Sequence, residues 1–491
     1  MGISINTASF NFTAKIPGLV VSSNGRFLQT TSGTPVFVCG FSSQMIMNRL
    51  NLTDINTYLD QVVSYGYNGL LIEMMSRLVD YSPGGLAPPA TVDGILPFTK
   101  NVSGGTYDGT AGTADFSTPN ETYWQRVDAV YNLMAGKNII ALTYPMSWGF
   151  NGMGAEGWWQ DMTLSQNTRS VHNTFGQFLG ARYNATKFPN IWWLNGSDYN
   201  GSTTGSPESG IGRAYSLMQG IITGGGTQLR SGDWQAPSES SDAPSDGSQA
   251  FENYIQLNGT YSTGGTHPTL ATDGQVYLEA RRGWNYTPID AHQGNGVSVP
   301  SAIPCYGKEY NFKGDTQGAT DTTIRKENGW GVLSGNTAGF WYGNIPLLQI
   351  TTGWQSVFAS DASVNQAGIF ANLIRSLSSW QLLVPSELSG MRRLITTSNG
   401  LQSAGAAYVA AAQSSDGHLM LCYVPPNGSG TQSFSVDFRS MAGTSTGRWW
   451  DPTTGTFTAI GTFANSLSAQ NFTTPGNNNS GDNDWVLVLQ S

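Results

Sequence analysis

Within its first two hundred residues the chain repeats one pattern three times: an amphipathic helix period, a glycine stop, then a short apolar strand. In "LNLTDINTYLDQVVSYGYNGLLIEMM", Ile55, Leu59, Val62 and Val63 recur at helical spacing, Thr53 is placed to cap the helix, Gly66 ends it, and Tyr67 to Met74 read as a strand. "YWQRVDAVYNLMAGKNIIALTYPMSW" repeats this with Gly136 as the stop and a strand ending near Trp148, and "RSVHNTFGQFLGARYNATKFPNIWWLNGSD" repeats it again. Continuous apolar strands alternating with helices require a parallel sheet covered by helices. No glycine-rich phosphate fingerprint follows the first strand, Pro35 to Gly40, which disfavours an open dinucleotide-binding sheet. Further candidate strands at Leu229–Trp234, Phe251–Leu257, Ala302–Lys308 and Gly331–Phe340 complete a set of eight. The expected fold is α/β, a (β/α)8 TIM barrel.

Beyond Pro385 the pattern changes. From about Ala406, "YVAAAQSSDGHLMLCYVPP", "SFSVDF", "GRWWDPTTGTFTAIG" and "DWVLVLQS" alternate at strand period with turn signals between them. A chain of 491 residues exceeds one hydrophobic core. The expected organisation is an N-terminal extension (1–20), the barrel (21–395) and a small C-terminal antiparallel β-sandwich (400–491).

A formal charge of −9 without a basic cluster argues against nucleic acid as a partner, since that affinity rests on Lys and Arg. With 15 Trp and 20 Tyr against 23 Lys plus Arg, the chain suits a neutral polyhydroxy ligand, a polysaccharide or oligosaccharide, although most aromatics belong to cores. Cys39, Cys305 and Cys422 have no metal-ligand spacing and the four histidines form no cluster, so neither metal nor cofactor is expected. No segment approaches the ~18 apolar residues of a membrane span. No leader pattern opens the chain, and the expectation is a secreted or periplasmic protein, any export signal having been removed or never present.

A barrel gathers its ligands at the carboxyl ends of its strands, where three acids fall: Glu73, Asp198 and Glu309. Two carboxylates facing a sugar ring suffice for glycoside hydrolysis, one protonating the leaving oxygen and the other attacking or activating water. The bland alternatives are that Asp198 caps a helix, that Glu309 pairs with Lys308, Arg325 or Lys326, and that Glu73 is structural. Expected sugar contacts are Glu73, Trp148, Asn200, Trp234, His267, Tyr306, Trp341 and Tyr342. The loops at 81–120 and 233–250 follow strands and are expected as walls or lids of the site.

Four segments carry a family resemblance: "LNLTDINTYLDQVVSYGYNGLLI", "FPNIWWLNGSDYN", "IPCYGKEY" and "IRKENGWGVLSGNTAGFWYGNIPLLQITTGW". From about residue 20 to its end, the chain resembles the apiosidase-like glycoside hydrolases, family 140 and its relatives. Their W-x-x-G-G-D-x-N pattern is matched with Ser197 in place of the second glycine, and their P-x-x-x-G-E pattern with Lys308 in place of glycine. The resemblance implies a retaining mechanism with Asp198 as general acid/base and Glu309 as nucleophile, acting on an apiose-like furanoside. Departures at Gly40-Phe41-Ser42 and at Trp341-Tyr342-Gly343-Asn344 leave an arabinofuranoside or galactofuranoside, or a non-catalytic glycan-binding role, as alternatives. The tail resembles the family's accompanying β domain, for which packing against the barrel is the simpler role.

Overall fold

The computed structural model describes residues 18–77, 89–149, 157–199, 210–234, 238–239, 255–262, 276–285, 302–315, 318–386, 393–398, 405–428, 430–466 and 468–491, with backbone alone at 198–199, 238–239 and 397–398. Eight parallel strands form the barrel: β1 (Val38–Ser42), β2 (Gly69–Glu73), β3 (Ile140–Tyr144), β4 (Ile191–Tyr199), β5 (Arg230–Trp234), β6 (Asn258–Tyr261), β7 (Cys305–Glu309) and β8 (Gly339–Tyr342). Seven parallel pairings link them from β5 back through β1 to β8 and on to β6. At the remaining seam, between β5 and β6, Gln256 and Leu257 donate their backbone N–H groups to Arg230 O at 2.9 and 3.2 Å.

The covering helices are α1 (Leu52–Ser64), α2 (Glu121–Gly136), α3 (Arg169–Arg182), α4 (Gly210–Thr223), α5 (Val276–Asn285), α6 (Asp321–Leu333) and α7 (Ala362–Ser376). The cap of helix α1 lies two residues before the expected one, because Asn51 rather than Thr53 accepts the Asp54 N–H, at 2.9 Å. It ends as expected, with Gly66 at φ +86°. The apolar run from Gly331 to Phe340 is not one strand. Gly331 to Leu333 finish α6, and a turn bracketed by Gly335 (φ +140°) and Gly339 (φ +137°) postpones the strand to Gly339. Of the strand expected at Phe251–Leu257, residues 251–254 lie outside the described residues, 255–257 are not strand, and the sixth barrel strand is Asn258–Tyr261. None of the described helices is long and apolar enough to cross a membrane.

The C-terminal part is a six-stranded antiparallel sheet, with Leu419–Val424 and Trp485–Gln490 at its centre, and a three-stranded sheet of Ile395–Ser398, Ser433–Val436 and Gln470–Thr473. Strand Leu383–Pro385, within the span expected for the barrel, pairs with Ala410–Ser414 in the larger sheet. Both faces of that sheet are apolar because both are covered. Met420, Cys422, Leu487 and Leu489 pack toward the small sheet, while Leu419, Leu421, Val486 and Val488 join the barrel's helical core. Helix α6 supplies the contact: Arg325 holds Asp484 at 2.8 and 3.0 Å and Asp482 at 2.7 Å. A Cβ at Gly329 would stand 2.5 Å from the Tyr423 ring. Arg325 is therefore committed to the sheet and does not pair with Glu309.

Candidate active site

Side chains on alternate positions of each strand fill the barrel. In the lower layers Trp192, Tyr306 and Trp341 meet edge to face or tilted, with centroids 5.1–6.4 Å apart, among Leu71, Leu142 and Leu194. Gly40 makes room for them, since a Cβ there would stand 2.2 Å from the Trp341 indole.

One step higher the filling turns polar. Tyr144 of β3, Asp233 of β5 and Lys308 of β7, all from odd-numbered strands, meet at the axis. The Tyr144 hydroxyl donates to one oxygen of Asp233 and the Lys308 ammonium to the other. Lys308 and Asp233 are each 1% exposed. Burial pushes the Asp233 carboxyl above the usual carboxylate range, against the pull of the Lys308 ammonium.

Above this layer two strands lose register. Between β4 and β5, Gly196 pairs with Asp233 but the next pairing is Tyr199 with Trp234, so Ser197 and Asp198 bulge from the ladder. Between β6 and β7, Thr260 pairs with Gly307 and Tyr261 with Glu309, leaving Lys308 as the extra residue. A bulge breaks the alternation and re-aims the residues beside it. Gly196 at φ +109° and Ser197 at φ +89° carry the first bulge in left-handed backbone. Glycine is obligatory at 196, where a Cβ would be 1.9 Å from Asp233 O. The turn is buttressed by Trp148, whose N–H donates to Gly196 O at 2.9 Å, and by a 2.9 Å bond from Ser147 Oγ to Ser197 Oγ.

At the second bulge Glu309 is partly buried and accepts the Tyr261 hydroxyl at 3.3 Å. The Lys308 ammonium lies 4.3 Å from the centroid of the same tyrosine ring. Glu73 is fully buried, and it shares the inward face of β2 with Leu71 in register with Tyr144. The loop after β2 is fixed over its described part. Asp161, buried with Arg77, accepts the N–H groups of Thr113 and Ala114 at 2.9 and 2.8 Å, which ties this loop to the segment that follows β3.

Several expected sugar contacts are corrected. Tyr306 and Trp341 are barrel filling, with the Tyr306 hydroxyl spent on Ser231 Oγ at 2.9 Å. Tyr342 points outward and bonds Ser363 Oγ of α7 at 2.7 Å. Trp148 and Trp234 are also core residues, 0% and 3% exposed. Tyr306 and Trp341 stand too deep in the barrel, and Trp148, Trp234 and Tyr342 pack in the core between strands and helices, a distinction that composition near a strand end does not carry. Asn200 and His267 lie outside the described residues, and of Asp198 the structure gives the backbone position only. Sequence reasoning missed Tyr144, Asp233 and Tyr261. The signal for Asp233 was its parity with Leu229 and Ser231 on the inward face of β5. Among the described residues no cluster of His, Cys, Asp and Glu is arranged to hold a metal.

Residues 22–382 match the family model described as the apiosidase-like catalytic domain. The chain belongs to this family. It is a glycoside hydrolase, with the two bulged strand ends at the mouth of an apiosidase-like barrel. Residues 392–490 match a domain named for collagen binding in a collagenase. No curated protein matches the chain. Among solved structures, one titled as a glycoside hydrolase is 19% identical with a TM-score of 0.72, covering 97% of each chain. A family 5 glycoside hydrolase from Bacteroides vulgatus is 17% identical with a TM-score of 0.72, over 97% of this chain and 95% of the other. At these identities the likeness concerns the fold, and it spans the apiosidase-like barrel together with its C-terminal sheets.

Proposed function

We propose that the protein is a retaining glycoside hydrolase for a furanoside linkage of the apiose type in a complex polysaccharide or oligosaccharide. Asp198 acts as general acid/base and Glu309 as nucleophile. The observation that carries this reading is that both acids sit at register breaks on the carboxyl ends of β4 and β7, with the Tyr261 hydroxyl donated to Glu309. That hydrogen bond stabilises the ionised carboxylate and orients one oxygen, which leaves the other for the anomeric carbon. The ionised Glu309 keeps Asp198 protonated for leaving-group departure. Once Glu309 is esterified, Asp198 ionises and serves as base for water. Glu73, fully buried on the inward face of β2, is assigned a structural, hydrogen-bonding role beneath the site. The division into extension, barrel and β domain belongs to the same proposal, with the β domain as a packing partner of α6.

The test is chromatography of sugars released from apiose-containing pectin, arabinan and galactofuranan by wild type and Glu309→Gln, with NMR of the first anomer formed. Release of one furanose with retained configuration by wild type, and at least about a thousandfold less by Glu309→Gln, is expected. An inverted anomer, or equal release by the variant, would sink the assignment.

A further inference from the structure

The reading of Glu309 as nucleophile leaves Lys308 unexplained. A buried ion pair is costly to desolvate, and a barrel layer is filled more cheaply by Leu or Met. Yet Lys308 and Asp233 are almost completely buried, and the Tyr144 hydroxyl satisfies the second carboxylate oxygen. The place of the pair is informative. Lys308 is the extra residue of the β7 bulge, immediately before Glu309. Asp233 is the residue of β5 opposite Gly196, where the β4 bulge begins, and its carbonyl is the atom that excludes a side chain from Gly196. The ammonium also lies under the Tyr261 ring, whose hydroxyl meets Glu309.

We propose that the Lys308–Asp233 pair is a positioning device that ties the two bulges to each other across the barrel axis and sets the separation and aim of the two carboxylates. Lys308 acts on Glu309 through Tyr261 and through the backbone of β7, and Asp233 acts on Asp198 through the backbone of β4. Neither touches substrate in this role. The inference rests on the proposed function and adds to it the residues that hold its geometry. Lys308, the residue immediately before Glu309, is a cation that reaches the axis.

The test measures kcat, KM and melting temperature for wild type, Lys308→Met, Lys308→Met/Asp233→Asn, Tyr261→Phe and Lys308→Met/Tyr261→Phe. The substrate is the panel glycan that wild type cleaves. Lys308→Met strands a buried carboxyl, so both melting temperature and kcat fall. Removing both charges in Lys308→Met/Asp233→Asn restores the melting temperature, while kcat stays down about tenfold to a hundredfold with KM within about twofold. Tyr261→Phe loses kcat similarly, and adding Lys308→Met to it costs clearly less than the product of the two separate losses, because part of the Lys308 effect runs through Tyr261. Recovery of wild-type kcat in the charge-free double variant, or full additivity with Tyr261→Phe, overturns the proposal. If Glu309→Gln is inert while the charge-free variant turns over normally, the positioning role alone fails. If Glu309→Gln itself turns over normally, the nucleophile assignment fails and the positioning role with it.

Discussion

The centre of the C-terminal sheet and the rim of the barrel are built from the same backbone ladders, used oppositely. Between Leu419–Val424 and Trp485–Gln490 six consecutive pairs run without a slip. Alternate side chains there reach two different apolar layers, so the strands are buried on both faces. At the rim, the β4–β5 and β6–β7 ladders both slip within their last residues. Regular pairing serves burial, because strict alternation delivers every second side chain to one layer. A slip forfeits a ladder bond and gains an orientation that alternation forbids. The polar layer of Tyr144, Asp233 and Lys308 adjoins both slips, with Lys308 itself the extra residue of the second, where the apolar filling of the lower layers would offer no directional hold.

The contrast implies that damage to the sheet costs stability and damage to the rim costs chemistry. The largest stability effect is expected from Asp484→Ala, which strips the buried Arg325 guanidinium of its bidentate partner. Urea unfolding should show a loss of about 4 kcal/mol, with turnover of the folded fraction unchanged. A loss of turnover in folded protein would show that the sheet reaches the site.

Acid should act on the barrel side of the molecule next. His172 of α3 is buried, its pKa is lowered to about 4 chiefly by burial, and Nδ1 bonds Thr168 O at 3.0 Å. The folded form therefore holds His172 neutral, while the unfolded chain takes up a proton below about 6.5. This contribution is fully present above that value and is lost as pH falls toward 4, by about 3 kcal/mol in total. Stability measured against pH should lose that slope in His172→Phe, whatever the variant's baseline stability; an unchanged slope would place the acid sensitivity elsewhere.

Gly196→Ala is expected to cost about 2–3 kcal/mol from the clash with Asp233 O and the positive φ. Its mark is in the kinetics, where turnover should fall about a hundredfold as Asp198 is displaced. Wild-type turnover in a folded Gly196→Ala protein would argue that Asp198 is not the acid. The smallest effect isolates backbone strain at Ser197. Ser197→Gly and Ser197→Ala both lose the bond with Ser147, but only glycine relieves φ +89°, so the Gly variant should be about 1 kcal/mol more stable than the Ala variant. Equal melting temperatures would contradict the left-handed backbone there.

Much of this was legible in the residues themselves. The helix, glycine and strand grammar and the apolar runs at Gly69–Glu73, Ile140–Tyr144 and Ile191–Leu194 led to the barrel, because period and burial are local properties. Strand ends were read less well. Gly331 to Leu333 were assigned to a strand because a short apolar run has the same appearance at the end of a buried helix. The aromatics Trp148, Trp234, Tyr306, Trp341 and Tyr342 were placed in the site because nearness to a strand end does not tell inward from outward, or rim from floor.

Sequence alone determined the order of helices and strands, the change to a β tail, and the two acids at strand ends, all through patterns spanning fewer than about twenty residues. Tertiary structure alone decided that Asp233, Lys308 and Tyr144, which are far apart along the chain, share one layer, and that Arg325 belongs to Asp484 rather than to Glu309. It also decided that the two acids stand on slipped ladders. Register across a barrel is set by closure of the whole ring of strands, and no single segment contains that constraint.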